Sequence, residues 1–342
     1  MIAKRTSALL QIALRSYKIG FLPLGPKSPC RTAEVLMTEQ RAPELVEYVA
    51  NVSEGRRKDV IQEIADAART PGVHVLDVHS DADHHRSVVT VVGSPAAAAE
   101  SAFRLAEAAA SRIDLRSHSG THPRIGALDV LPFVPLGSTS MEICVEIAHA
   151  VGRRIGDELG VPVYFYGEAA LSDARRRLLD IRRGEYEGLM DLIVNDPTRH
   201  PDAGPPTLGP AGASAVGARL PLIAMNVHLH TGDVRIARAI ARKVRASNGG
   251  LLGVQALGLP TSRPGIVQVS MNLVDILVSP PHVVVEAVRA EAGQHGVELA
   301  ETELVGLMPA HAALSAASWA LGLPALGAGQ VIELALHSSS AG

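Results

Sequence analysis

LIAMNVHL (222–229), VRIARAIARKVRAS (234–247), LLGVQALGL (251–259), IVQVSMNLVDI (266–276), HVVVEAVRAEAGQHG (282–296) and VELAETELVG (297–306) decide the fold. The first, third, fourth and last are short, largely apolar runs. The second and fifth repeat apolar residues every three or four positions, so the periods predict strand, helix, strand, strand, helix, strand. That is the split βαβ, or ferredoxin-like, order.

Upstream the order nearly repeats. LVEYVANVS (45–53) reads as a strand and RRKDVIQEIADAART (56–70) as an amphipathic helix carrying Val60, Ile61, Ile64 and Ala67. VHVLDVHS (73–80) and RSVVTVVG (86–93) are strands parted by the polar DADHH turn, and AAAAESAFRLAEAAASRI (96–113) is an Ala-rich helix. After a Gly- and His-rich segment come a helix around 139–159, the strand VPVYFYG (161–167) and helical stretches to about 193. NDPTRHPDAGPPTLGPAGA (195–213) is a long loop and the junction. The expected division is a basic, disordered extension (1–40), an N-terminal subdomain (41–211), a C-terminal subdomain (212–325) and a tail (326–342). Each half has one adjacent strand pair, which argues against a purely parallel doubly wound sheet. The expected class is therefore α/β (α+β): two ferredoxin-like βαββαβ subdomains with mixed sheets and a ligand cleft between them.

Composition narrows the function. The 342 residues are 47% hydrophobic, 20% charged and only 3% aromatic, with a formal net charge of -3. So few rings leave little for stacking single-stranded nucleic acid, and a slightly acidic chain lacks the basic face of a non-specific DNA binder. No run of about 18 apolar residues predicts a membrane span. Cys30 and Cys144 are too few for a disulfide framework or a multi-Cys zinc site, which fits a reducing, cytoplasmic setting. In the first 36 residues Lys4, Arg5, Arg15, Lys18, Lys27 and Arg31 meet one acid, Glu34. This leader reads as a disordered extension, with Met37 as an alternative start, or as an organelle transit peptide.

No dinucleotide fingerprint, P-loop, nucleophile elbow or H-E-x-x-H occurs in a suitable setting. A cluster of His79, His84, His85, His118 and His122 does stand out. In RSHSGTHPRIGALD (116–129), Gly120, Pro123 and Gly126 break any helix, so the histidines sit on a loop. His122, flanked by Arg124 and ending in Asp129, reads as an acid/base group handling an anion. A zinc site from Asp81, Asp83, His84 and His85 is the rival reading. Arg86, Arg116, Arg124 and Arg219, at loop edges, suit carboxylate recognition. Arg175, Arg176, Arg177, Arg182 and Arg183, and the basic face of 235–245, read as solvated helix charges. Gly167 and Glu168 follow a strand end, where ligand loops begin; His228 and His230 share a strand face and read as rim or interface groups.

Together NVSEGR (51–56), LDVHSDADHHRSVVTVVG (76–93), THPRIGALDVLPFVP (121–135), VPVYFYGEAA (161–170), RRGEYEGL (182–189), GASAVGAR (212–219), VQVSMNLVD (267–275) and ETELVGLMP (301–309) resemble, in order, the glutamate formiminotransferases, which include the transferase part of the formiminotransferase-cyclodeaminases. The resemblance runs from about residue 46 to 313. It implies two α/β subdomains with a charged tunnel between them. The implied reaction moves a formimino group from N-formimino-L-glutamate to N5 of tetrahydrofolate, the co-substrate, in histidine breakdown. It implies no metal, a homodimer and no following cyclodeaminase part.

By the same resemblance the catalytic histidine is His122, and the folate-contacting segment carries Gly204, Pro205, Thr207, Gly209, Pro210 and Gly212. Arg86 and Arg124 are the implied anion partners, Arg116 and Arg219 the second choices; Glu168 and His79 complete the substrate-binding set. The chain departs from the family at Ala50, where proline is usual, at His79, where Asp is usual, and at His85, where Asn is usual. Histidine for Asp exchanges an anion for a neutral or positive ring, so an impaired, formyl-transferring or purely folate-binding homologue is the alternative.

Overall fold

The computed structural model describes residues 43–120 and 123–340. The basic extension, Cys30 and His122 lie outside the described residues.

Strand β1 (Glu44–Val52) alternates strictly: Val46, Tyr48, Ala50 and Val52 are fully buried, while Glu47, Val49 and Asn51 face the other way. Helix α1 (Lys58–Ala67) follows, then β2 (Val73–Asp81), β3 (Arg86–Gly93), α2 (Pro95–Arg112) and β4 (Leu128–Gly137). The four strands pair antiparallel in the order β2-β3-β1-β4. The βαββαβ unit is thus complete in the first half as well. Its last strand was hidden by Pro132 and Pro135, which argue against a strand when only the sequence is read.

The first sheet then grows. Helix α3 (Met141–Leu159), β5 (Val163–Gly167), the one-turn α4 (Leu178–Ile181) and α5 (Glu185–Asn195) lead to β6 (Ser214–Ala218). Strand β6 lies between β4 and β5, parallel to both, giving the six-stranded order β2-β3-β1-β4-β6-β5. The first sheet therefore extends to Ala218, past the boundary expected at 211, because fully buried Ser214–Ala218 continues directly out of the Pro/Gly run. Helices α1, α2 and α3 cover one face of this sheet, where Ala-rich α2 lies close to β1 and Tyr48 and Ser101 share a 2.6 Å hydrogen bond.

The second sheet has the expected order: β7 (Ile223–Leu229), α6 (Val234–Val244), β8 (Val254–Pro260), β9 (Val267–Leu273), α7 (Pro281–Gln294) and β10 (Leu299–Val305). Its strand order, β10-β7-β9-β8, is antiparallel throughout. Ala237, Ile240, Ala241 and Val244 of α6 lie over β8 and β9 and share one buried cluster with Val254, Ala256 and Val269 of the sheet. Each fully buried aliphatic side chain contributes about 1.5–3 kcal/mol. Helices α8 (Ala310–Leu321) and α9 (Ile332–Ser340) follow. No helix among the described residues is long and apolar enough to cross a membrane.

With one face of each sheet under helices, the opposite face of the first sheet is apolar at its β4-β6-β5 end, where Val130, Tyr164 and Ala215 pack with Leu189 and Ile193 of α5; its β2-β3-β1 end and the opposite face of the second sheet carry polar residues. The two meet where the β2–β3 hairpin reaches the second sheet. Ser262 N donates to Asp83 Oδ2 at 3.1 Å, Gln268 Nε2 lies 3.3 Å from His84 Nε2, and His79 Nε2 lies 3.7 Å from Glu303 Oε1.

Candidate active site

Strand β2 decides what faces the cleft. Val73 and Val75 pack with the helix-side core, yet Asp77, His79 and Asp81 pair with Thr90, Val88 and Arg86, whose side chains face the cleft. The register shifts between Val75 and Asp77, so Leu76 is the extra residue of a bulge and alternation reverses across it. An aspartate, a histidine and a second aspartate thereby enter the cleft from a strand that begins as core.

Two cavities lie along the cleft. The larger, about 440 Å³, is walled by Asp81, His84, His228, Gln268, Glu301 and Glu303. Its polar groups form a chain: Asp81 Oδ2 and His84 Nδ1 are 2.5 Å apart, His84 meets Gln268, and Gln268 Oε1 lies 3.1 Å from His228 Nε2. His228 Nδ1 lies 3.2 Å from Glu301, which also pairs with Arg263, and Asn226 Nδ2 donates to Glu303 at 2.8 Å. Burial pushes the Asp81 carboxyl up, but the hydrogen bonds from the His84 side chain and backbone and from Asp83 N outweigh it, holding the group well below the usual carboxylate range.

The smaller cavity, about 150 Å³, is lined by Glu47, Asn51, Arg86, Tyr166, Arg182 and Arg219. Three guanidinium groups thus converge in one pocket. Burial and the neighbouring Arg182 charge push Arg86 down to about 10, so it still carries its charge at neutral pH. Arg182 is fixed by an ion pair with Asp129 Oδ2, while Asp129 Oδ1 accepts from Ile125 N at 2.8 Å. Arg182 Nε is buried without a partner, as is Asp77 Oδ2. Burial raises the Tyr166 phenol, which is bonded to Arg219.

Beside the β2–β3 hairpin tip, His85 adopts φ 50° and its ring meets His118 edge-on at 4.2 Å. His118 Nε2 lies 3.1 Å from His85 O, and its Nδ1 accepts from Arg124 Nε at 3.1 Å. Burial lowers the basicity of both imidazoles. Fully buried Glu54 lies 3.8 Å from His85 and accepts from Arg57 Nε at 2.5 Å. Gly120 packs on this cluster so closely that a Cβ there would stand 2.7 Å from His84 O.

The structure brings Arg86, Arg219 and His79 into the cleft and distributes the other expected groups elsewhere. Arg124 is buried and bound to Glu187 at 2.6 Å and Glu185 at 3.1 Å, and exposed Arg116 pairs with Asp114. Glu168 is exposed and pairs with Arg176, while Gly167 turns with φ 63° against Ala218. Gly204, Pro205, Thr207, Gly209, Pro210 and Gly212 line neither cavity; their backbone braces the loop before β4, as where Pro210 O accepts from Leu115 N at 2.8 Å. The zinc reading loses two ligands to each other, since Asp81 and His84 bond directly, and among the described residues no group of three His, Cys, Asp or Glu side chains could hold an ion. Cys144 is buried, which pushes its thiol up to about 11 and leaves it inert.

Arg182, Glu301 and Glu303 are the site residues the sequence did not single out. Arg182 closes a one-turn helix too short to show periodicity, though it opens the RRGEYEGL motif. Glu301 and Glu303, two apart on β10, pair in register with His228 and Asn226 and share their face.

Residues 45–219 match the formiminotransferase domain, N-terminal subdomain, and residues 224–329 match the formiminotransferase domain. A glutamate formimidoyltransferase of Thermoplasma acidophilum is 43% identical over 299 residues, covering 86% of this chain and 98% of that protein. One from Streptococcus pyogenes is 40% identical, covering 81% and 93%. The formimidoyltransferase-cyclodeaminase of Gallus gallus is 45% identical over 80% of this chain, which spans 52% of that protein. With both subdomains matched and relatives of this similarity aligned nearly end to end, the chain belongs to the formiminotransferase family.

Proposed function

We propose that this chain is a glutamate formimidoyltransferase, transferring the formimino group of N-formimino-L-glutamate to N5 of tetrahydrofolate and releasing L-glutamate. The observation that carries it is the convergence of Arg86, Arg182 and Arg219 in one pocket of a chain 43% identical to an enzyme of that name. Both substrates end in carboxylates, and planar guanidinium forks are the groups that pair such oxygens.

The N5 lone pair attacks the amidine carbon, forming a C–N bond and a tetrahedral intermediate. Its N5 proton leaves to a general base, the bond to the glutamate nitrogen breaks, and that nitrogen receives a proton, so the shuttle returns to its starting state. His122 is the residue we assign to both transfers. In support, its sequence neighbour Gly120 packs on the His84–His85 hairpin tip beside the acidic cavity. Holding both reactants in a cleft between two rigid sheets removes much of the entropic barrier to their meeting. His79 faces the cleft as a substrate contact. Gly204, Pro205, Thr207, Gly209, Pro210, Gly212, Glu168 and Arg124 enter the proposal through the resemblance, as folate-side and second-tier groups.

The reading extends to a cytoplasmic homodimer without a metal. Tetrahydrofolate-dependent release of glutamate from N-formimino-L-glutamate tests it, and folded protein that releases none sinks it. His79 stands where the family has an acid, so N-formyl-L-glutamate belongs in the same assay as a second donor.

A further inference from the structure

The loop before β4 is gripped on both flanks. Among the described residues two non-glycine residues have left-handed backbone, His85 at φ 50° and Glu185 at φ 56°, and each holds one flank of this loop. His85 holds the first: its ring lies against His118, and a Cβ on Gly120 would stand 2.9 Å from His85 Cβ. Glu185 holds the second through its ion pair with Arg124. Side-chain-bearing residues stay in that conformation only where their surroundings over-determine it, and such positions gather at functional sites.

Arg124 ties the flanks together. Its Nε donates to His118 Nδ1 at 3.1 Å, and Nη2 donates to His118 O at 3.2 Å and Glu187 Oε1 at 2.6 Å. Nη1 donates to Glu185 Oε2 at 3.1 Å and Glu187 Oε2 at 2.9 Å. All five guanidinium donors are thereby engaged, so an anion could bind Arg124 only by displacing one of these bonds. Arg124 O in turn accepts from Tyr186 N at 3.0 Å, fastening the loop to the start of α5. Arg124 and Glu187 line neither cavity, yet in sequence Arg124 stands two positions after His122.

We propose, resting on the transferase reading and its assignment of His122, that Arg124 and Glu187 are positioning residues for the reaction. Together they close the loop that carries His122 and so set kcat, without binding either substrate. The planar fork suits the task, because it joins His118 and two carboxylates in one fixed geometry that a lysine ammonium does not reproduce. Misplacing a reacting group by about 1 Å can cost about 10²-fold in rate, so a clasp outside the cavities has leverage on the chemistry.

Glu187→Gln in the full chain tests this, since the Glu187 side chain is 62% exposed and its replacement leaves the core filled. It is expected to lower kcat by about tenfold or more and to leave the KM for both substrates within about twofold. Arg124→Lys is expected to show the same split, with melting curves confirming the fold of each variant; where the lysine variant does not fold, Glu187→Gln decides. In a His122→Ala background, Glu187→Gln is expected to leave the residual single-turnover rate within about twofold, because nothing remains to be positioned. An unchanged kcat in Glu187→Gln overturns the inference. So does a raised KM with kcat intact, which would make Arg124 an anion receptor, and so does an equally large loss in the His122→Ala background, which would make the clasp merely structural. In each of these cases the transferase reading stands. A wild-type chain that transfers no formimino group to tetrahydrofolate overturns both.

Discussion

Asp129 and Arg182 are joined on the arginine side of the cleft, with one carboxylate oxygen on the guanidinium and the other on the backbone N–H of Ile125. Asp129 is only 2% exposed. The last residue of the H-P-R-x-G-A-L-D run therefore acts through a distant arginine, one that the sequence reading had left among surface charges.

Asp129→Asn keeps the acceptor for Ile125 N but leaves Arg182 buried beside Arg86 without its counter-charge. Losing one partner of a buried pair costs roughly 3–5 kcal/mol. Urea denaturation should show that loss, together with a raised donor KM. An unchanged midpoint would mean the pair is not holding Arg182 in place.

His122→Ala should lower kcat by about 10²–10⁴-fold, the usual contribution of a general acid/base, and leave tetrahydrofolate affinity within a few-fold of wild type. Single-turnover rates and a binding titration together check this. Unchanged turnover would remove His122 from the chemistry.

Stability should fall on mild acidification. His118 accepts from Arg124 through Nδ1 and lies against His85 O through Nε2, which suits one neutral tautomer, and burial holds both His118 and His85 below their ordinary value. The unfolded chain thus takes up protons first. The contribution of the neutral rings is complete above about pH 6.5 and is lost as pH falls through the lowered folded-state values. Melting temperatures from pH 8 to 5 should show the decline, with a shallower slope in His118→Gln; parallel slopes would refute it.

Gly212→Ala should destabilise the first subdomain. The residue has φ 68°, and an added Cβ would meet Ile125 O at 2.2 Å, backbone that cannot swing aside. A cost of at least about 1–3 kcal/mol follows from strain of this kind. The urea midpoint checks it, and no change would show that the loop before β6 adapts freely.

Much of the fold was legible because strand and helix differ in period. The runs from Leu222 to Gly306 show 2.0 and 3.6 cleanly, and the observed second sheet follows them. Strand β4 was not legible, because prolines at 132 and 135 mimic a loop, and β6 stays unassigned between the Pro/Gly run and the strand read from 222, because S-A-V-G-A carries a single β-branched residue. For the site, Arg86 and Arg219 were found because they flank β-rich segments. Arg182 was missed because one helical turn carries no periodicity, and Glu301 and Glu303 because only pairing with β7 reveals their common face. Arg124 read as an anion receptor, yet Glu185 and Glu187, some sixty residues on, occupy its guanidinium.

The bulge at Leu76 makes β2 two half-strands spliced out of phase. Paired residue for residue with no bulge, β2 would turn Asp77, His79 and Asp81 toward the helices, beneath Ala-rich α2, without altering any of the three. Equipment of this wall of the cleft is therefore specified by a residue count as much as by residue identity. Deleting Leu76 removes only the unpaired residue and keeps Asp77 opposite Thr90, so it should spare this wall, whereas a one-residue deletion between Asp77 and Asp81 should turn part of it away.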